Sequence, residues 1–148
     1  MGYSMDPDPE TTAKAYWEEL QISPKKSNEV CNMVKGKDVD RALDMLEEVI
    51  EGDRAVPYEK HHKGVGHQKG AGPGGYPKKV SEEIRSLIEE CRANAENKGL
   101  DSENMRIKLL AAHKGSPIQG FRSRAFGRSS PSDTKTTNLE IILEEKEE

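Results

Sequence analysis

The chain has 148 residues, of which 32% are hydrophobic and 34% charged, and a formal net charge of −4. That length suits one domain, and so little apolar material implies a thin core with extended parts that touch something else. No apolar run approaches the roughly 20 residues of a membrane-spanning helix, and the polar, acidic opening MGYSMDPDPETT lacks the pattern of a secretory leader, so the cytoplasm is the expected compartment.

Residues 1–12 read as a flexible tail, and 13–148 as a single domain. The stretch AKAYWEELQI is ambiguous: Ala13, Tyr16, Trp17 and Leu20 fit helical spacing, whereas Tyr16, Leu20 and Ile22 would share a strand face. A helix is predicted next, with Ser23 as N-cap, Pro24 in its first turn, Ser27, Val30 and Val34 on one face and Gly36 as its stop. A second runs from a cap at Asp38 through Val39, Ala42, Leu43, Leu46, Val49 and Ile50 to Gly52. Residues 55–76 have no periodicity and are rich in Gly and Pro, which predicts an irregular loop ordered by an external surface. The longest helix begins near Pro77, lays Val80, Ile84, Leu87, Ile88, Cys91 and Ala95 along one stripe, and stops at Gly99. Cys31 and Cys91 sit in these apolar patterns without a CxxC partner and read as buried thiols.

Period two then takes over. Met105, Ile107, Leu109 and Ala111 are assigned to one face of a strand, and Leu139, Ile141 and Leu143 to one face of another. Pairing Arg106 with Glu144 would make these antiparallel and place the turn between Arg124 and Gly127. The segment between them is then a hairpin whose arms continue about ten residues past the sheet, a reach of roughly 30 Å at ~3.3 Å per residue. Two strands alone are marginal in water, so such a hairpin is ordered by whatever it enters.

Charge is segregated along the chain. Residues 54–80 carry +5 and residues 106–136 carry +6, while the remainder carries −15. What matters at a phosphate surface is this local potential. In an extended segment Arg122, Arg124 and Arg128 would project from one side together with Phe126, able to grip phosphate or lie on bases, with Phe121 on the other side. Lys60, Lys63 and Lys69 suit phosphate contact better than the neighbouring His61, His62 and His67 suit zinc, since no Cys pair completes a tetrahedral set. Gly70, Gly72 and Gly75 match GxGxxG, but Pro73 lies inside, and no strand is predicted before it and no βαβ unit after it. No catalytic grouping, metal or cofactor is indicated. A basic hairpin would also satisfy an acidic protein partner, so a protein–protein adaptor is the alternative to RNA binding, and a nucleotide-dependent enzyme ranks third.

The ordered motifs ISPKKS (22–27), RAVPY and KGVGHQKG (54–70), YPKKV (76–80), NAENKGLD (94–101), AAHKG (111–115) and RAFGR (124–128) resemble an archaeal member of a universal ribosomal family. It is the large-subunit family numbered twenty-two in bacteria and seventeen in eukaryotes. The resemblance implies an α+β fold: a small three-stranded antiparallel sheet with three packed helices and a long protruding β-hairpin, about 113–137. It makes AKAYWEELQI a strand and 55–76 an insertion of archaeal and eukaryotic members. It implies binding to large-subunit ribosomal RNA, support of its assembly, neighbouring ribosomal proteins as partners, and a hairpin tip of Arg124, Ala125, Phe126, Gly127 and Arg128 in the wall of the polypeptide exit tunnel, where it meets the nascent chain. The expected RNA-facing residues are the three arginines with Lys25 and Lys26, Lys60 to Lys63, His67 and Lys69, Lys78 and Lys79, His113 and Lys114, and Lys135. Ser123, Ser129 and Asn138 stand where family members often carry proline, alanine and histidine.

Overall fold

The computed structural model describes residues 2–146. In chain order these form β1 (Thr12–Leu20), α1 (Pro24–Val34), α2 (Val39–Glu51), β2 (Val56–Pro57), β3 (His67–Gln68), β4 (Gly72–Gly75), α3 (Lys78–Asn97), β5 (Met105–Lys114), β6 (Phe121–Ser123), β7 (Ser129–Pro131) and β8 (Thr137–Glu145). The main sheet is antiparallel in the order β1-β8-β5, and the three helices cover one of its faces. AKAYWEELQI is thus a strand, the choice that periodicity alone left open.

The helices begin and end where local chemistry directs. Ser23 Oγ accepts from the Lys26 N–H at 3.4 Å, with Pro24 opening α1. Asp38 occupies the N-cap position of α2 but makes no side-chain cap; its carboxylate instead meets Lys146 Nζ at 2.9 Å. Gly52 ends α2 at φ 88°, a left-handed conformation that a Cβ would strain. Leu46, Ile84, Leu87 and Ile88 are fully buried between the helices and the sheet, each contributing about 1.5–3 kcal/mol of transfer free energy. Cys31 and Cys91 are buried free thiols in this core, and burial pushes each up to about 12.

Strand β5 departs from simple alternation. Ile107 pairs with Leu143 but Leu109 pairs with Ile142, so Lys108 is an extra residue, a bulge. One extra residue reverses the faces that follow. Met105, Ile107 and Leu110 therefore point to the core, with Ala112 packed against it, and Leu109 and Ala111 turn to the opposite face, correcting the face assigned from sequence. A second slip follows. Gly115 bonds Thr136, yet Ile118 pairs with Thr134, which leaves an extra residue at Ser116–Pro117, where a proline can sit without breaking a ladder.

The loop at 55–76 is not irregular throughout. β2, β4 and β3 form a second small sheet, correcting that expectation, and a strand does precede the glycine-rich stretch. Its glycines serve close packing: a Cβ on Gly74 would lie 2.4 Å from the Val56 carbonyl oxygen, and one on Gly75 would lie 2.9 Å from the Tyr58 hydroxyl. Buried Glu29 on α1 secures the same loop, accepting from the N–H groups of Glu59, Lys60 and His61 at 2.9, 3.1 and 3.4 Å.

Ahead of β1, Tyr3 stacks edge-on against Tyr16 with ring centroids 5.7 Å apart. Lys14 Nζ lies 4.7 Å over the Tyr3 ring.

Candidate nucleic-acid interface

All sixteen residues expected to face RNA are exposed. Their partners, or lack of them, are more informative. The described ion pairs join Arg41 and Arg54 to Glu48, Arg85 to Glu47 and Glu89, Arg92 to Asp40, Arg106 and Lys108 to Glu144, and Lys146 to Asp38. Of the sixteen, only His113 joins a carboxylate among the described residues. Among the described residues, an acidic chain has thus paired its structural cations and left the lysines and arginines of this set without a carboxylate partner, an arrangement suited to a polyanion.

One group of cations lies at the starts of two helices. Lys25 and Lys26 occupy the first turn of α1, Lys78 and Lys79 that of α3, and neither turn contains an acid. A helix N-terminus already carries positive partial charge, so lysines there are unfavourable unless an anion is near. Both N-termini border a cleft of about 250 Å³ lined by Lys26, Lys78, Lys79 and Tyr76. Tyr76 is 41% exposed, an aromatic face at the rim of this cleft. Lys79 Nζ also donates to the Gln21 carbonyl at 3.0 Å, which steadies it.

Another group, Lys60 to Lys63 with His67 and Lys69, is carried by the second sheet. Its backbone is held by Glu29, so these side chains are presented from a built platform. Among the described residues no group of three His, Cys, Asp or Glu could hold a metal.

The hairpin forms the last group. β6 pairs with β7 through Arg122↔Ser130 and Ser123↔Ser129, and Arg124 N donates to the Arg128 carbonyl at 2.7 Å. Cross-strand partners share a face, so Arg122, Arg124, Arg128 and Ser130 lie on one side, and Arg124 Nε reaches Ser130 Oγ at 3.1 Å. Phe126 does not join them, contrary to the expected alternation. It sits in the turn Ala125–Gly127 at φ 60°, ψ 34°, and is 93% exposed. Phe121, on the opposite face, is 77% exposed. At the base of the hairpin Lys114 and Lys135 flank a cleft of about 210 Å³ that also touches Pro24 and Pro117.

His113 differs from the rest in meeting a buried carboxylate. Its Nε2 lies 2.8 Å from Glu140 Oε1, and Ser4 donates to the same carboxylate through N at 2.9 Å and through Oγ. Ser4 Oγ is 3.4 Å from that same Nε2. A nucleophilic relay requires the two ring nitrogens to serve two different partners, so this trio is a structural anchor. Another cleft, about 700 Å³, is lined by Asp38, Arg106, Glu144, Glu145 and Lys146, where Arg106 pairs with Glu144 and Lys146 with Asp38.

Sequence reading missed Glu29, Glu140 and Tyr76. The signal for Glu140 was an acid inside an apolar run, LEII, and for Glu29 only its helical spacing, one position ahead of Val30 on the predicted buried face. Asn138 also acquires a role: it is buried, and its Oδ1 accepts from the Glu19 N–H at 2.9 Å, where β1 twists through φ 56°.

A thin α+β body with cations lacking carboxylate partners among the described residues, on helix starts, a platform loop and a hairpin, defines a class, the small α+β structural domain with basic surfaces. The chain belongs to the ribosomal protein L22p/L17e family, whose family model matches residues 15–144. It is 46% identical to the large ribosomal subunit protein uL22 of Methanopyrus kandleri, covering 97% of this chain and 95% of that one. Identity to the uL22 of Haloarcula marismortui is 44%, over 99% and 97% of the two chains. With the uL22 of Methanococcoides burtonii it is 45%, over 97% and 95%.

Proposed function

We propose that this chain binds large-subunit ribosomal RNA through the three cationic groups, supports folding of that RNA during assembly, and lines the polypeptide exit tunnel with the tip Arg124–Arg128. Membership of the family makes it a structural constituent of the large ribosomal subunit, in the cytoplasmic ribosome. The observation that carries the RNA reading is the division of cations among the described residues: those in ion pairs hold the fold, and most of those outside them, all but Lys14, Lys35, Lys37 and Lys98, lie on the helix starts, the loop and the hairpin. Affinity arises from counterion release at these groups, followed by shape recognition and stacking on Phe121, Phe126 and Tyr76. The acid-poor hairpin follows from the same physics, because a carboxylate there would be desolvated against phosphate.

Filter binding against large-subunit RNA tests this. The logarithm of affinity should fall steeply with the logarithm of salt concentration. Replacing Arg122, Arg124 and Arg128 together by alanine should flatten that slope by about 0.7–0.9 for each phosphate that is no longer neutralised. These side chains are exposed, so the circular dichroism of the variant should match the parent. Absent binding, or a slope indifferent to salt, overturns the reading.

A further inference from the structure

Strand β5 lies at one border of the main sheet, and part of its outer edge is open. Near its start the edge is closed: Ile107 N donates to the Lys37 carbonyl at 2.9 Å, and Gly36 N donates to the Ile107 carbonyl at 3.1 Å. Beyond the Lys108 bulge this cover ends. Gly115 N bonds Thr136 O at 2.9 Å, which fixes the alternation back along the ladder. Leu109, Ala111 and His113 face β8, so the N–H and C=O groups of Leu110, Ala112 and Lys114 point outward. They take no hydrogen-bond partner among the described residues.

A cleft of about 640 Å³ runs along this edge, with residues 108–113 on one side and Asn28, Cys31 and Asn32 of α1, with Lys35 just past its end, on the other. Asn28 and Asn32 lie one helical turn apart, both exposed and without a partner among the described residues. Each amide offers a donor and an acceptor, the complement of a peptide unit. The charged groups that line the cleft are cationic or imidazole: Lys35, Lys108, whose ammonium meets Glu144 outside the lining, and His113; no acid lines it.

We propose that the outer edge of β5, from Lys108 to Lys114, docks an extended acidic peptide segment of a neighbouring protein, which adds to the main sheet as a fourth strand. An unpaired strand edge is a template for strand addition. Donors alternating with acceptors at strand spacing favour peptide over RNA, because a peptide backbone repeats both at that spacing, whereas phosphate oxygens only accept and the donors of RNA, on ribose and bases, do not follow it. The apolar floor from Leu109 to Ala112 suits alternate side chains of an added strand, and Lys35 and Lys114 select acidic ones. This surface uses none of the hairpin arginines and shares only His113 and Lys114 with the residues expected to face RNA, so the two readings are separated by variants at Asn28 and Asn32.

The test titrates the isotope-labelled full-length chain with an eight-residue peptide alternating valine and glutamate, and with its valine–lysine counterpart. The amides of Leu110, Ala112 and Lys114 should shift saturably with the acidic peptide, while those of Ala111 and His113 keep their existing protection. The lysine peptide should bind about fivefold more weakly. The double variant N28A/N32A should bind about threefold to tenfold more weakly, as expected when hydrogen bonds at exposed positions are removed, with unchanged circular dichroism. Four results would overturn the proposal: no shift along the outer edge, equal binding of the two peptides, concentration-dependent shifts without peptide that reveal a second copy there, or a response of these amides to a short oligonucleotide instead. Salt-dependent RNA binding by N28A/N32A should match the parent, so loss of one activity leaves the other readable.

Discussion

Glu140 is fully buried on the face of the sheet away from the helices, opposite Tyr16 on one side and Ala111 on the other. A lone buried carboxylate would be costly, and here it is satisfied by Ser4 and His113. Burial alone pushes its carboxyl up, but the bonds from Ser4 and His113 reverse this and hold it below its ordinary value. The Glu144 carboxyl is also held low, by Lys108 first and then Arg106. Depressed folded-state values stabilise the fold above the ordinary carboxyl range, and that stability is lost as pH falls through the folded values. Ser4→Ala should cost about 1 kcal/mol in urea unfolding near neutrality. The difference from the parent should shrink once the pH drops below the ordinary carboxyl range; a gap unchanged by acidification would show that Ser4 acts through something other than the Glu140 charge. Phe126 carries the opposite kind of cost: its left-handed backbone is disfavoured for a residue with a Cβ, and a side chain that is 93% exposed recovers none of it by burial in the free protein.

At the scale of elements, the Glu29 carboxylate determines whether 55–76 is a platform or a loose insertion. Three backbone N–H groups converge on it, while the strands they lead into are only two to four residues long. Strands so short are marginal without such support. Glu29→Ala should therefore raise amide exchange at residues 59–61 at least about tenfold and lower global stability by about 1–3 kcal/mol, the penalty for buried groups left unpaired. Unchanged exchange at those amides would mean that the small sheet holds itself. The bulges act at this scale too. By the extra residue at Lys108, β5 sends Leu110 inward and leaves Leu109 beside Ile142 on the second face, so both faces of the central β8 are covered.

For the whole molecule, the segregation of charge is the organising feature. The acidic remainder forms the body and supplies the ion-pair partners, while the basic windows emerge as loop and hairpin. From Gly115 to the turn at Ala125 each arm runs about ten residues, on the order of 30 Å of chain that has nothing of its own to bury. A photocrosslinker at position 126 in assembled large subunits should react with ribosomal RNA and, in stalled complexes, with the nascent chain. Products confined to other ribosomal proteins would remove the tip from the tunnel wall.

What could be read from the residues in order was local. Ser23, Pro24, Gly36, Gly52 and Gly99 delimit the helices because capping chemistry acts within one turn, and three- and four-residue apolar steps show which faces are buried. The position of the turn was legible because pairing Arg106 with Glu144, the register the sheet adopts, fixes it near Ala125–Gly127. The remaining choices were made in three dimensions. Whether residues 12–20 became strand or helix depended on the free edge of β8, and the bulge at Lys108 on two adjacent leucines competing for one core position. Glu29 and Glu140 became structural only when backbone and side-chain donors distant in the chain closed around them. Such choices depend on burial and hydrogen-bond satisfaction between segments up to 136 residues apart, which no window of sequence contains.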